Sequence, residues 1–281
     1  MFASFLLSLR EGIEAALLIG ILIGALYKMG RPELKVPVWT GVISAVVVSL
    51  GAGIVLYQLG ALFEGDAEKI FEGITMLSAA AVLTWMIFWM NKQAKNMKGN
   101  IETDVNQAVR KGAFTPLFLV AFLVIIREGI ELALFLTAAA YSSSENQVLL
   151  GAVAGLIVAV ILGWMLYSAT SRLNLHRFFQ VTGLLLLLFA AGLVAHGIHE
   201  FNEVGWVPAV IDPLWNMNHI LDEKSTVGEM LKALFGYNGN PSLTETAAYW
   251  MYIVIVFLAL QRTTKLIPLP VRTSSIARPR S

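Results

Sequence analysis

The chain of 281 residues contains no cysteine. This absence excludes a disulfide framework, a thiolate metal site and a cysteine nucleophile. Charged residues are also scarce, at 14% of the chain, and no basic patch with interleaved aromatic residues indicates a nucleic-acid partner. The first residues, Met1-Phe2-Ala3-Ser4, have neither the positive segment nor the small-residue cleavage site of a signal peptide, so we expect the first apolar segment to be retained.

Apolar residues dominate what is present, with 57% of the chain hydrophobic and a mean hydropathy of +0.71. Runs of about 20 apolar residues recur, and each is long enough to cross ~30 Å of hydrocarbon. The sequence therefore predicts an all-α integral membrane protein with seven transmembrane helices. The predicted spans are residues 2–27, 37–59, 70–90, 115–141, 147–170, 177–200 and 246–262.

Lysine and arginine are concentrated in the connections after spans 1, 3 and 5 and in the tail after span 7. The positive-inside rule then predicts an N-terminus outside and a C-terminus inside the cell. Trp85, Phe88 and Trp89 would form an aromatic belt at the inner interface. Twelve of the nineteen acidic residues fall on the outer side. They would concentrate cations there, although ordinary solvation of outer loops explains them equally well.

A five-residue motif occurs twice, as Arg10-Glu11-Gly12-Ile13-Glu14 in span 1 and Arg127-Glu128-Gly129-Ile130-Glu131 in span 4. A charge at the bilayer centre costs roughly 2.5 kcal/mol or more, so such residues usually face a bundle interior and have a function. Three spans separate the copies, so the second motif enters the membrane from the opposite side. This spacing predicts an inverted repeat with a site near the midplane.

The repeat divides residues 1–262, a single membrane domain, into five parts. We expect repeat one at 1–90, an inner linker at 91–114, repeat two at 115–200, an outer stretch at 201–245 and the seventh helix at 246–262. The linker is polar and basic and is expected to contain a short surface helix. Residues 263–281 would form a basic cytoplasmic tail.

The residue types of the motif indicate cation binding. On a helix, the arginine and the last glutamate of each motif share a face, because they are four positions apart. The arginine can hold one carboxylate ionised, which leaves each motif with a charge of about −1. Four glutamates would then meet, and carboxylate oxygens suit a hard cation. Without a cation the crowded carboxylates would hold a proton, so cation uptake would be linked to proton release.

The alternative is that Arg10–Glu14 and Arg127–Glu131 are only buried ion pairs that fix the register of the helices. Two identical copies argue against this interpretation. So does the additional glutamate in each copy, which the arginine does not neutralise.

Acidic residues at the outer end of span 3 are candidates for an access path. Glu64, Glu68 and Glu72 are spaced by four and would line one face if the helix extends outward. For Glu64 and Glu68, a solvated helix end is an equally good interpretation. Glu72 lies deeper, which favours a function in metal binding.

A second set of candidates lies near the outer end of span 6. His196, His199 and Glu200 have the i, i+3, i+4 spacing that can present ligands to a metal. The commoner alternative is a histidine satisfied by hydrogen bonds. Glu203, on the next turn, is a further candidate for the access path.

Small residues spaced by four predict close helix packing. Such pairs are Gly20 and Gly24 in span 1, and Gly151 and Gly155 in span 5.

Helix boundaries are predicted in the outer stretch and at span 7. Thr226 followed by Glu229 indicates a capping box that opens a short helix, which Gly236 would close. Ser242 and Glu245 predict the same type of cap for the seventh helix.

The doubled motif resembles the Arg-Glu-x-x-Glu signature of the oxidase-coupled iron permease family, and the chain is similar in particular to its bacterial EfeU-type members. The similarity covers nearly the whole chain. It includes the stretches Phe71-Glu72-Gly73, Leu83-Thr84-Trp85-Met86, Phe88-Trp89-Met90, Arg172-Leu173-Asn174-Leu175, Ala190-Ala191-Gly192-Leu193, Glu203-Val204-Gly205 and Phe235-Gly236-Tyr237.

This resemblance implies import of iron ions across the plasma (inner) membrane. The iron-handling residues would be Glu11, Glu14, Glu128 and Glu131, oriented by Arg10 and Arg127. Implied partners are an extracytoplasmic iron-binding protein and a haem peroxidase or other iron oxidase. Iron would be the transported substrate, with no tightly bound cofactor.

Two other functions remain open. A membrane-embedded di-metal ferroxidase would also use Glu-x-x-Glu on paired helices, but the Glu-x-x-His pairs of di-iron carboxylate bundles are missing. A transporter of another divalent cation, such as manganese, would use the same carboxylates.

Overall fold

A computed structural model describes residues 1–93, 97–110, 114–167, 175–223 and 225–265. Within these residues the chain is all-helical, as predicted. The helices are α1 (Phe2–Lys28), α2 (Lys35–Ala61), α3 (Asp66–Gln93), α4 (Met97–Arg110), α5 (Phe114–Ser142), α6 (Glu145–Tyr167), α7 (Leu175–Glu203), α8 (Thr226–Phe235) and α9 (Leu243–Lys265), with a short 3-10 turn at Pro32–Leu34 before α2.

The seven long helices coincide with the seven predicted spans to within about one helical turn. The short helix expected in the inner linker is α4. Residues 168–170 of the fifth span, the Arg172-Leu173-Asn174 stretch and the tail beyond Lys265 lie outside the described residues.

Five of the described helices are long and apolar enough to cross a membrane, so the protein is a multi-pass membrane protein. These five candidate spans are Pro32–Ala61, Asp66–Met90, Glu145–Met165, Arg177–Glu203 and Leu243–Arg262. The other two long helices, α1 and α5, each contain the three charged residues of the motif. Because of these three charged residues, α1 and α5 differ in composition from the five candidate spans.

The most extensive packing joins three pairs of long helices. Helix α1 packs on α6, α2 packs on α5 and α3 packs on α7, while α1 also contacts α5 directly. Helix α6, which follows the second motif helix α5, therefore packs on the first motif helix α1. In the same way α2, which follows α1, packs on α5. Helix α9 lies outside this arrangement and packs on α7.

Two matching stripes of small residues make the crossed pairs possible. One stripe lies on α2 and the other on α6, and each α6 residue follows its α2 counterpart by 110 positions. A Cβ on Gly151 would overlap Met1 and Ser4 of α1, and a Cβ on Gly41 would overlap Phe118 and Ala121 of α5. The stripes are Gly41, Ala45, Ser49 and Gly53 on α2, and Gly151, Gly155, Ala159 and Gly163 on α6.

The packing predicted for Gly151 and Gly155 is thus confirmed, because both approach the backbone of α1. The prediction for Gly20 and Gly24 is wrong within the described part of the chain. Neither residue has an atom of a neighbouring element within 4 Å of the position that its Cβ would take.

The two short helices mark opposite ends of the bundle. Helix α4 buries Ile101, Val105 and Ala108 against α1 and the first turns of α5. These positions recur every three or four residues, as expected for one helix face. Helix α8 lies at the other end, where it contacts α7, α1 and α5. We call these ends the α4 end and the α8 end.

Helix α8 has the caps of a short amphipathic helix, but its N-cap lies one residue before the predicted one. Ser225 is the N-cap, and its Oγ accepts a hydrogen bond from the Gly228 N–H at 3.0 Å. Gly236 ends the helix with a φ of 67°, as predicted. At the start of α9, the Ser242 Oγ accepts from the Glu245 N–H at 3.2 Å, which confirms Ser242 as the N-cap, whereas the Glu245 carboxylate accepts a hydrogen bond from Asn238.

Candidate metal site between the two motif helices

The glycine of each motif fixes how its helix is rotated. Gly12 packs against Ala159 of α6, and Gly129 packs against Ser49 of α2. The glycine lies two positions after the motif arginine, which places it on nearly the opposite side of the helix. Packing the glycine side of each motif against the neighbouring helix turns the charged side toward the centre of the bundle.

In the first motif, one arginine pairs with both glutamates. Arg10 is 1% exposed, and its Nη1 lies 3.1 Å from the Glu11 Oε1. Its Nη2 lies 3.2 Å from the Glu14 Oε1. The sequence predicted only the pair with Glu14, so the first arginine does more than expected.

In the second motif, the arginine pairs with one glutamate only. The Nε of Arg127 donates to the Glu131 Oε1 at 2.8 Å, and a third of the arginine side chain is exposed. Within the described residues, no ion pair joins Glu128 to an arginine. Glu128 is therefore the motif carboxylate whose charge is least compensated.

Three of the four motif glutamates converge on one point. Glu11, Glu128 and Glu131 each offer a carboxylate oxygen, and these oxygens lie within 4.8 Å of one another. All three residues are buried. Each of them also has one buried oxygen, Oε2, without a hydrogen-bond partner. Buried polar atoms are almost always paired, so a group of three buried carboxylates with unpaired oxygens is a candidate site for a cation.

The spacing of these oxygens fits a single ion. Hard cations bind oxygen ligands at about 2.0 to 2.6 Å, so two ligands on opposite sides of one ion are about 4 to 5 Å apart. Glu14 does not belong to the group. Its carboxylate lies beside Arg10 instead, and it contributes charge to the site rather than a converging oxygen.

Helix α3 supplies further contacts to both motif arginines. Two methionine sulfur atoms lie against the guanidinium of Arg10, and two tryptophan rings lie against that of Arg127. The tryptophans are Trp85 and Trp89, for which the sequence suggested only a place in an interfacial belt.

The three glutamates expected on one face of the third helix are not all on it. Helix α3 begins at Asp66, after a turn at Gly65 with a φ of 63°, so Glu64 lies before the helix and does not share a helix face with Glu68 and Glu72. Glu68 and Glu72 do share a cavity of about 230 Å³ at the α8 end. Tyr57, Tyr141 and Glu145, which the sequence did not single out, complete its polar lining.

The two histidines of α7 are near the α8 end and apart from the motif carboxylates. His196 is buried, and its Nδ1 lies 3.0 Å from a backbone carbonyl of its own helix. His199 lies between two carboxylates, with its Nε2 at 3.3 Å from the Glu203 Oε1 and its Nδ1 at 3.5 Å from the Glu245 Oε2. Glu200 is partly buried on the adjoining turn.

His199 belongs to a chain of charges that links three helices. Lys69 of α3 pairs with Glu203 at 2.7 Å, and Glu245 of α9 accepts a hydrogen bond from Asn238 at 2.8 Å. The sequence suggested Glu245 only as a capping residue. Its carboxylate, 1% exposed, ties α9 to α7 instead.

Comparison with known proteins gives a family for the whole membrane region. The model of the iron permease FTR1 family matches residues 1–273. The ferrous iron permease EfeU of Escherichia coli O157:H7 is 36% identical over 261 residues, which cover 92% of this chain and 95% of the relative. The ferrous iron permease EfeU of Yersinia pestis is 34% identical over 269 residues, covering 94% and 95%. No solved structure gives a significant match.

Proposed function

The chain belongs to the FTR1 family of iron permeases, and we propose that it imports iron ions across the plasma membrane through a site formed by its two Arg-Glu-x-x-Glu motifs. The observation that carries the proposal is the convergence of Glu11, Glu128 and Glu131, each with a buried and unpaired oxygen. An iron ion, as the transported substrate, would satisfy all three oxygens.

The proposal includes an inverted repeat, in which α1 to α3 correspond to α5 to α7. The crossed packing of α1 on α6 and of α2 on α5 supports it. If α1 is exchanged with α5 and α2 with α6, each of these pairs becomes the other. The matching small residues on α2 and α6 support it as well. The site between α1 and α5 would then lie on the twofold axis near the membrane midplane. Helix α9 is an addition outside the repeat.

The α8 end is proposed to face outward, so that iron reaches the site from there. Glu68, Glu72 and Glu145 in the cavity at this end would attract cations. Glu200, Glu203 and the two histidines of α7 lie at the same end and would form the rim of the access path. The implied partners, an extracytoplasmic iron-binding protein and a haem peroxidase or other iron oxidase, would deliver iron to this end.

Two alternative functions have less support. A ferroxidase of the di-iron carboxylate type uses histidine beside glutamate, and the converging group consists of carboxylates alone. Transport of manganese would use the same oxygen ligands, so competition between the two metals separates it from iron import.

Uptake by purified protein in liposomes tests the proposal. Fe²⁺ under reducing conditions and Fe³⁺ as a soluble chelate are supplied separately, across an imposed pH gradient. We expect saturable Fe²⁺ uptake, since the curated relatives are named ferrous iron permeases, and only weak inhibition by Mn²⁺. Uptake of both iron ions at the rate of protein-free liposomes would contradict the proposal. Oxidation of Fe²⁺ without uptake would favour the ferroxidase.

Orientation is testable because the native chain contains no cysteine. Ser144→Cys introduces one thiol at an exposed position of the α8 end, and Asp104→Cys introduces one at an exposed position of α4. We expect a membrane-impermeant maleimide to label the first variant in intact cells. The second should react only after permeabilisation. The reverse pattern would place the α8 end inside and contradict the proposed direction of access.

A further inference from the structure

Both motif arginines contact the same short segment of α3, although they belong to different motifs. The segment is Trp85–Met90, near the α4 end of the helix. Positions 85 and 89 are one turn apart and so are positions 86 and 90, so the segment presents two adjacent faces. One face contacts Arg10, and the other contacts Arg127.

Each terminal nitrogen of Arg10 has one carboxylate and one thioether beside it. Nη1 lies 3.1 Å from the Glu11 Oε1 and 3.2 Å from the Met86 Sδ. Nη2 lies 3.2 Å from the Glu14 Oε1 and 2.7 Å from the Met90 Sδ. The sulfur atoms therefore supply a second contact to each terminal nitrogen of a guanidinium that is almost entirely buried, while its Nε has no hydrogen-bond partner in the described residues.

Arg127 is held by aromatic faces instead. Its Cζ lies 4.4 Å from the centre of the Trp89 ring and 5.4 Å from that of Trp85. The side chain is a third exposed, so its glutamate partner does not enclose it completely. A cation over an indole face is attracted by the ring quadrupole.

Thioethers and indole rings share one property, which is that they attract a guanidinium without a net charge. A carboxylate at these positions would compete with the motif glutamates for the arginine and add negative charge to the site. A purely aliphatic side chain would not fix the direction of the guanidinium. Methionine sulfur is a weak acceptor and polarisable, and aromatic faces are attractive to cations. Contacts of this kind hold an arginine and leave its charge available to the glutamates.

The contacts between this segment of α3 and the two arginines are not repeated by the corresponding segment of α7. Gly73 of α3 packs on Gly197 of α7, and the matching contact, 110 positions on, joins Gly183 to Ile87. With the same offset, the α7 counterparts of Met86 and Met90 are His196 and Glu200. Arg127 nevertheless contacts α3. One segment therefore serves both arginines.

We propose that Met86, Met90 and Trp89 are positioning residues of the ion site, which hold Arg10 and Arg127 against the motif glutamates and keep the guanidinium groups out of the space between the three converging carboxylates. The proposal rests on the proposed function, since the site it concerns is the iron site. These residues act through the arginines and do not bind the ion.

The test compares leucine and glutamine substitutions. A positioning role and a packing role predict opposite answers as to which of the two is more harmful. Leucine preserves the apolar shape of methionine but has no acceptor, whereas glutamine has an uncharged acceptor oxygen at a similar distance. For Met86→Leu/Met90→Leu, we expect the apparent KM for Fe²⁺ uptake to rise about tenfold, as for the loss of one or two hydrogen bonds to a charged group. Met86→Gln/Met90→Gln should stay closer to the wild type. If the methionines only fill the core, leucine is tolerated and glutamine is harmful.

A matched control is available on the same helix. Met76 is fully buried in α3 and lies in the apolar core cluster, so Met76→Leu changes packing alone. Its KM should equal that of the wild type. The second arm compares Trp89→Phe, which keeps an aromatic face over Arg127, with Trp89→Leu, which does not. We expect a larger rise in KM for leucine.

Iron binding to purified protein in detergent, measured by calorimetry with Fe²⁺ alone, gives a readout that is independent of transport. Binding and uptake in Met86→Leu/Met90→Leu and Trp89→Leu that equal those of the wild type would overturn the positioning role, while the proposed function stands. Wild-type protein that binds iron through the cluster but does not transport it would overturn the proposed function alone. Weaker binding in the leucine variants, with glutamine closer to the wild type, would then still support positioning.

Discussion

Replacement of Glu128 by glutamine is expected to lower iron uptake by more than about 100-fold, the equivalent of roughly 3 kcal/mol. Glu128 is one of the three converging carboxylates and the one without an arginine partner in the described residues. No arginine offsets its charge there, and an amide of the same shape removes the carboxylate oxygen that would bind a cation. Uptake of radioactive iron by cells or liposomes, normalised to the amount of folded protein, measures the loss.

The matched control is Glu33→Gln, the same chemical change at an exposed residue of the α4 end whose ion pair is with Arg31. Its uptake should not differ from that of the wild type. Glu131→Gln should resemble Glu128→Gln, since Glu131 lies in the same group. Near-normal uptake in both cluster variants would rule out the carboxylates as the ion site.

Replacement of Gly155 by alanine is expected to destabilise the protein by about 1 to 3 kcal/mol through overpacking. A Cβ at this position would overlap the backbone of Phe5 and Leu9 in α1, which cannot move aside as a flexible side chain would. The gain of up to about 1 kcal/mol from replacing glycine within a helix does not offset this. Thermal unfolding in detergent measures the difference. Uptake should fall as well, because α1 carries Glu11.

Gly24→Ala is the natural comparison, since it makes the same change at a helical position where no atom of a neighbouring element in the described residues lies within 4 Å of the added Cβ. It should leave stability unchanged or raise it by up to about 1 kcal/mol. Similar melting temperatures for the two variants would show that α1 and α6 are not in close contact.

The helices and the meeting of the motifs could be predicted from the sequence because both depend on strong local signals. Apolar runs defined the spans, and the offset of three spans between the two identical motifs, in spans 1 and 4, predicted that they would converge. The rotation of each motif helix could not be predicted in the same way. It depends on the packing of Gly12 and Gly129 against other helices. That rotation separates Glu14 from the group and lets Arg10 reach Glu11.

The contacts of several other side chains could not be predicted, because each of these residues already had a simpler interpretation. Met86 and Met90 stood out in the sequence only within stretches that resemble the family, and Trp89 fitted an interfacial belt. Glu245 fitted a helix cap, and its contact with His199 required the knowledge that α9 packs on α7. In each case the sequence of one helix already offered an explanation for the residue, and it contained no information about the contact with another helix.

The crossed pairing of the long helices determines which parts of the molecule can move as units. Close backbone contacts, at Gly41, Gly151 and Gly155, join a helix of one half to a motif helix of the other. The two halves are thus interlocked, and a hinge between residues 1–90 and 115–200 would have to open this close packing. The natural rigid bodies are the mixed pairs α1–α6 and α2–α5. Sliding between these pairs would separate the two motifs, and with them the carboxylate of Glu11 from those of Glu128 and Glu131.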